Sequence, residues 1–192
     1  RKIQICNYAK DLVSAPVDFK VKNLGENINS PFPDYSAVVS ADQGTLVFTS
    51  RRDVTTGGLK DEDGLFFEDI FIAYKENGVW QKAKNIGLPV NTNGHEATIG
   101  LSVDGSQLFI YKDDKGDGNI YFTSLKGDQW SDPVKLPNTI NTKYWEPSVT
   151  ISSDGNTLYF VSDTLGGFGG RDIYRSVKLP NGKWSRALNL GP

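Results

Sequence analysis

From residue 35 to residue 190 the apolar side chains fall in short runs, alternating or continuous, each closed by Gly, Asn or Asp. That pattern predicts strands joined by tight turns. Cut after Leu24, Ile86 and Leu136, with a last boundary at Leu190, the chain shows three copies with periods of 62, 50 and 54 residues. Five residues past each cut stands Asn29, Asn91 or Asn141, and five further on an acid, Asp34, Glu96 or Glu146. Ser40, Ser102 and Ser152 follow, each two residues before Asp42, Asp104 or Asp154. An apolar-aromatic run comes next: Leu46-Val47-Phe48, Leu108-Phe109-Ile110 and Leu158-Tyr159-Phe160. A third run opens at Asp69-Ile70-Phe71, Asn119-Ile120-Tyr121 and Asp172-Ile173-Tyr174, and Trp80, Trp130 and Trp184 each stand six residues before the next boundary.

Each copy reads as four antiparallel strands. Strand A is Tyr35–Ser40, Ala97–Ser102 or Pro147–Ser152. Strand B follows the Asp-Gly turn, strand C starts at the Asp/Asn-Ile-aromatic triplet, and strand D begins at the tryptophan after a hairpin at Asn77-Gly78, Gly127-Asp128 or Asn181-Gly182. Four-stranded units of about 50 residues are β-propeller blades. The predicted fold is therefore all-β, part of a propeller, with blades over 25–86, 87–136 and 137–190. A continuous sandwich is the alternative, but it has no need of one signature in every copy. Val17–Gly25 matches the strand D ends at 84–87 and 188–191 and predicts an orphan closing strand. Three blades fall short of the roughly four to eight that close a ring, so a longer propeller is expected. Ile3, Cys6, Tyr8, Ala9, Leu12 and Val13 recur at helical spacing up to Pro16, so residues 1–16 read as the end of a preceding helical region.

Composition narrows the function. Charge nearly cancels, 21 basic against 23 acidic side chains and a pI near 5.4, which argues against a nucleic-acid surface. No apolar run is long enough to predict a membrane-spanning helix. One cysteine and one histidine exclude a disulfide framework and multi-Cys or multi-His metal sites.

At the residue level, Glu146-Pro147-Ser148 through Ser152-Ser153-Asp154-Gly155-Asn156-Thr157-Leu158-Tyr159-Phe160 resembles the TolB-like propeller repeat. Its continuation, Ser162-Asp163 through Gly166-Gly167-Phe168-Gly169-Gly170-Arg171-Asp172-Ile173-Tyr174, resembles the version in Bacteroidetes cell-envelope proteins. The resemblance covers residues 18–192. It implies a periplasmic, outer membrane-associated, non-catalytic scaffold that binds a protein partner. It also implies tetratricopeptide repeats upstream, an OmpA-like peptidoglycan-binding domain downstream, and kinship with PorE-like lipoproteins of type IX secretion. The competing class is a glycan-binding or carbohydrate-active propeller of glycosidase or lyase type.

The candidate site residues have paired readings. Asp34, Glu96 and Glu146, at the start of the innermost strands, would ring one channel mouth and bind a cation or a basic segment. The purely structural reading has each accept hydrogen bonds from a neighbouring blade. The insert 55–68, carrying Asp61, Glu62, Asp63, Phe66 and Phe67, is either a contact loop or an excursion whose aromatics pack on the blade. Asp113–Asn119 looks partly like a calcium loop, but Lys115 stands where a ligand is wanted and no closing Glu follows. No metal or cofactor is expected. His95 reads as a loop histidine, Cys6 as a small buried apolar residue, and the tryptophans as packed between blades. No Gly-x-Ser-x-Gly elbow occurs.

Overall fold

The computed structural model describes residues 2–16, 20–114 and 117–192. A helix, α1 (Lys2–Ser14), precedes three antiparallel sheets. The first contains β1 (Asp34–Val39), β2 (Thr45–Ser50), β3 (Asp69–Glu76), β4 (Val79–Trp80) and β5 (Lys84–Asn85). The second contains β6 (Glu96–Leu101), β7 (Gln107–Asp114), β8 (Asp117–Lys126), β9 (Gln129–Trp130) and β10 (Val134–Lys135). The third has β11 (Ser148–Ile151), β12 (Thr157–Ser162), β13 (Asp172–Val177) and β14 (Leu188–Asn189). Each is a propeller-type blade in simple up-and-down order.

The A–B turns show why the Ser-x-Asp signature recurs. The Asp104 carboxylate accepts from the Ser106 N–H at 3.0 Å and from the Ser102 hydroxyl at 2.6 Å, while Ser102 Oγ accepts from the Gln107 N–H at 2.8 Å. The same set recurs at Asp42 with Ser40 and at Asp154 with Ser152. These donors pull the Asp104 carboxyl down to about 2. Gly105 and Gly155 take the left-handed position, φ 72° and 70°; in the first copy, where the turn reads Asp-Gln-Gly, Gln43 takes it at φ 58°.

Strand D departs from the reading at its start. The tryptophan closes a short hairpin, as at Lys75↔Trp80 and Leu125↔Trp130, or a lone bridge at Lys178↔Trp184. The ladder to strand C resumes only at β5, β10 and β14. The break turns each indole into the core: Trp130 packs where Val47, Ile70 and Ile72 of the first blade meet Val90, Leu108 and Ile110 of the second. Trp184 packs where Phe109, Ile120 and Leu136 meet Ile140, Val149, Leu158 and Phe160. Each fully buried Val, Leu, Ile or Phe in these clusters is worth about 1.5–3 kcal/mol, so the clusters are the glue between blades.

The first strands β1, β6 and β11 are neighbours, as innermost strands of adjacent blades must be. They come so close that a Cβ on Gly100 would lie 2.9 Å from the Val149 carbonyl oxygen. Residues 20–24 join no ladder, and residues 17–19 of the orphan strand lie outside the described residues. Cys6 is exposed, not buried, because α1 buries none of its side chains against another element. The stretch read as a partial calcium loop forms the β7–β8 hairpin, with Asp114 opposite Asp117; residues 115–116 at its tip lie outside the described residues.

Candidate functional site

Strand A begins, strand B ends and strand C begins at one end of every blade, which gathers the three acids, the B–C loops and His95 there. The acids are tied up within their own blades. Glu146, fully buried, accepts from the Thr142 N–H at 3.1 Å, the Thr142 hydroxyl at 2.8 Å and the Ser162 hydroxyl at 2.8 Å. Glu96, also buried, accepts from the Thr92 N–H at 2.9 Å and pairs with Lys112 Nζ at 3.0 Å. Asp34 accepts from the Ser30 N–H at 2.7 Å and pairs with Arg52 at 2.9 Å. Burial alone would raise the Asp34 carboxyl, but donors from Ser50, Arg52 and Ser30 outweigh it and hold it below its ordinary value. In every copy the acid accepts from the loop four residues upstream, which folds back over the strand's start.

In the second and third copies the repeated asparagine reaches across to the preceding blade. Asn91 Oδ1 accepts from the Ile70 N–H and its Nδ2 donates to the Ile70 carbonyl, both at 2.9 Å. Asn141 makes the same pair with Ile120, both at 2.8 Å. The sequence marked these residues as repeated, but nothing in it marked them as clamps on the preceding strand C.

The insert is ordered by pairings that span it. Arg51 bonds Asp63 at 2.7 Å and approaches Asp61 at 3.5 Å, while Lys60 bridges to Phe66. Phe66 meets Phe32 edge-on with centroids 6.4 Å apart, and Phe67 lies 3.9 Å from the His95 ring. Both aromatics are half-buried on the blade, whereas Asp61, Glu62 and Asp63 are exposed. The His95 Nδ1 contacts the Glu68 carboxylate, which also accepts from the Tyr35 hydroxyl at 2.8 Å. Burial opposes ionisation of Glu68, yet the bonds from His95 and Tyr35 hold its carboxyl below the usual range. His95 thus anchors the base of the insert. Among the described residues, no three His, Cys, Asp or Glu side chains gather as metal ligands.

One surface at this end carries no mark in the candidate residues. The B–C loop of the third blade exposes Leu165 (79%) and Phe168 (66%). The Asp172 carboxylate fixes it by accepting from the Phe168 N–H at 2.6 Å and the Gly169 N–H at 2.9 Å. Beside it, Trp145 is 39% exposed, hydrogen-bonded to the Tyr111 hydroxyl at 3.2 Å and covered on one side by Arg171 at 4.2 Å. The Gly-Gly-Phe-Gly-Gly run was the available signal, since glycines on both sides of a lone aromatic leave it nothing local to pack on. At the other end of the blades, Phe109, Phe122, Leu136, Ile151 and Trp184 line an apolar cavity of 570 Å³ between the second and third blades.

No protein-family model matches the chain, and no curated protein matches it. Solved structures do. TolB from Acinetobacter baumannii superposes with a TM-score of 0.54 at 19% identity, over 83% of this chain and 33% of that one. A putative TolB from Agrobacterium tumefaciens gives 0.47 at 14% identity, over 85% of this chain and 63% of its own. A prolyl endopeptidase gives 0.49 at 16% identity, over 93% of this chain and 24% of its own. The chain spans about a third of the Acinetobacter protein's length. What the first likeness carries is architecture: this chain is all-β, part of a β-propeller, and similar in fold to TolB.

Proposed function

We propose that this chain is a non-catalytic protein-binding module of the bacterial cell envelope. Its partner docks on the end of the blades where strand A begins. One observation carries the reading: at that end the repeated carboxylates are spent on internal hydrogen bonds, while Leu165 and Phe168 stand exposed on a loop fixed by Asp172. A rigid scaffold presenting preformed apolar side chains suits docking, because little ordering remains to oppose binding. The fold likeness to TolB and the repeat resemblance support the envelope setting, with a periplasmic location near the outer membrane. The finer form of the proposal is a secretion or peptidoglycan-linked assembly, with tetratricopeptide and OmpA-like regions in the same protein. Glycan binding has Trp145 in its favour, yet Arg171 already covers that ring.

The test is site-specific photo-crosslinking in intact envelopes. A crosslinker at position 168 should give a discrete adduct that a crosslinker at Leu179, exposed at the other end, does not. Equal adducts from both positions, or none from 168, would sink the proposal.

A further inference from the structure

The asparagine grip on the preceding strand C occurs twice, and the first instance carries a supporting asparagine where the second has Lys135. In the first, Asn85 Nδ2 donates to Asp69 Oδ2 at 2.6 Å, and Asn85 Oδ1 accepts from the Gly87 N–H at 2.8 Å and Asn91 Nδ2 at 2.7 Å. Asn91 then grips the Ile70 N–H and carbonyl. The second instance is Asn141 on Ile120. The grip uses main-chain groups, and in the first instance the Asp69 carboxylate before the isoleucine adds a side-chain contact with Asn85.

The segment from Asn23 to Asn29 holds the same shape. Asn23 Oδ1 accepts from the Gly25 N–H at 2.7 Å and from Asn29 Nδ2 at 2.8 Å, as Asn85 does from Gly87 and Asn91. The Asn29 N–H donates to the Gly25 carbonyl at 2.9 Å, the distance of Asn91 to Gly87. Gly25 sits at φ 85° where Gly87 sits at 74°. This loop is pinned to the first blade independently of any gripped strand. Asn27 Nδ2 donates to the Trp80 carbonyl at 2.8 Å, the Ala83 N–H donates to the Asn27 carbonyl at 2.8 Å, and Ile28 is buried against Phe48 and Phe71. The difference lies in exposure: Asn91 and Asn141 are buried, Asn29 is exposed.

We propose that Asn23–Asn29 is a preorganised recognition site for the opening of a strand C from another blade of this repeat. The strand must present a free outer edge. Its first residue is Asp or Asn, to accept from Asn23 Nδ2. Its second residue supplies the N–H to Asn29 Oδ1 and the carbonyl to Asn29 Nδ2. Strand addition of this kind draws affinity from main-chain hydrogen bonds and specificity from the side chains in register. A loop already in the bound shape lowers the ordering cost.

The probe is a peptide with the sequence of residues 119–126, Asn-Ile-Tyr-Phe-Thr-Ser-Leu-Lys, titrated into the ¹⁵N-labelled chain. The side-chain amide signals of Asn23 and Asn29 and the Gly25 amide should shift saturably. Asn29→Ala should weaken binding about tenfold or more, and so should N-methylation of the peptide's isoleucine, which removes the donated N–H. Asn29 is exposed, so its truncation leaves the fold intact, and an unchanged spectrum elsewhere confirms that. No saturable shift up to about 1 mM overturns the proposal. So does binding that neither change weakens, or binding that shifts only residues of the third blade.

Discussion

Truncating Asn141 to alanine measures what the clamp contributes. The side chain is buried and makes three hydrogen bonds: from the Ile120 N–H, to the Ile120 carbonyl at 2.8 Å and to the Leu136 carbonyl at 2.9 Å. The Ile120 carbonyl keeps a bond from the Leu136 N–H at 3.0 Å. Its N–H, on a residue with no solvent exposure, is left without a partner. A stranded buried donor costs about 1–3 kcal/mol, and each remaining bond about 1 kcal/mol net. Asn141→Ala should therefore cost about 3–5 kcal/mol, a large share of the roughly 5–15 kcal/mol by which domains are stable. The control is the same repeat position in the first copy: Asn29→Ala touches an exposed side chain and should stay within about 0.5 kcal/mol of the parent. Guanidinium unfolding followed by tryptophan fluorescence and far-UV circular dichroism gives both values. If the two variants differ by less than about 1 kcal/mol, the asparagine does not hold the blades together and the reasoning fails.

Gly100→Ala places a Cβ 2.9 Å from the Val149 backbone oxygen, which no rotamer relieves; a loss of about 1–3 kcal/mol in the same assay is expected, and an unchanged midpoint would contradict the close approach. Asp34, Asp42, Glu68, Asp104 and Asp154 are all held below their ordinary values in the fold, against Asp69, which burial raises. A depressed folded-state value contributes stability above the unfolded value and loses it as pH falls through the folded one. The Asp104 contribution should thus vanish between 3.8 and about 2, and Ser102→Ala, removing its strongest donor, should move the Asp104 carboxyl resonance titration upward. A titration unmoved by that substitution would mean the turn bonds do not set it.

Much of the fold was legible because its chemistry is local. The Ser-x-Asp turn closes bonds two and five residues away, so wherever that pattern occurs the A–B hairpin follows, and strands B and C of the first blade are near-continuous apolar runs because both faces are covered. The first copy shows that the turn survives with Gln43 in the glycine position, since the aspartate bonds rather than the glycine define it. What tertiary structure decided were partners far apart in the chain. Asn91 lies 21 residues from the Ile70 it grips, so its repetition showed a constraint without showing what enforced it. The acids were visible too, yet whether they faced a channel, a neighbouring blade or their own loop depended on how that loop folded back. Cys6 and Phe168 mark the other limit, for burial belongs to the packing and not to the residue. An apolar side chain is buried only when another element covers it, and α1 and the Gly-rich loop of the third blade have none over them.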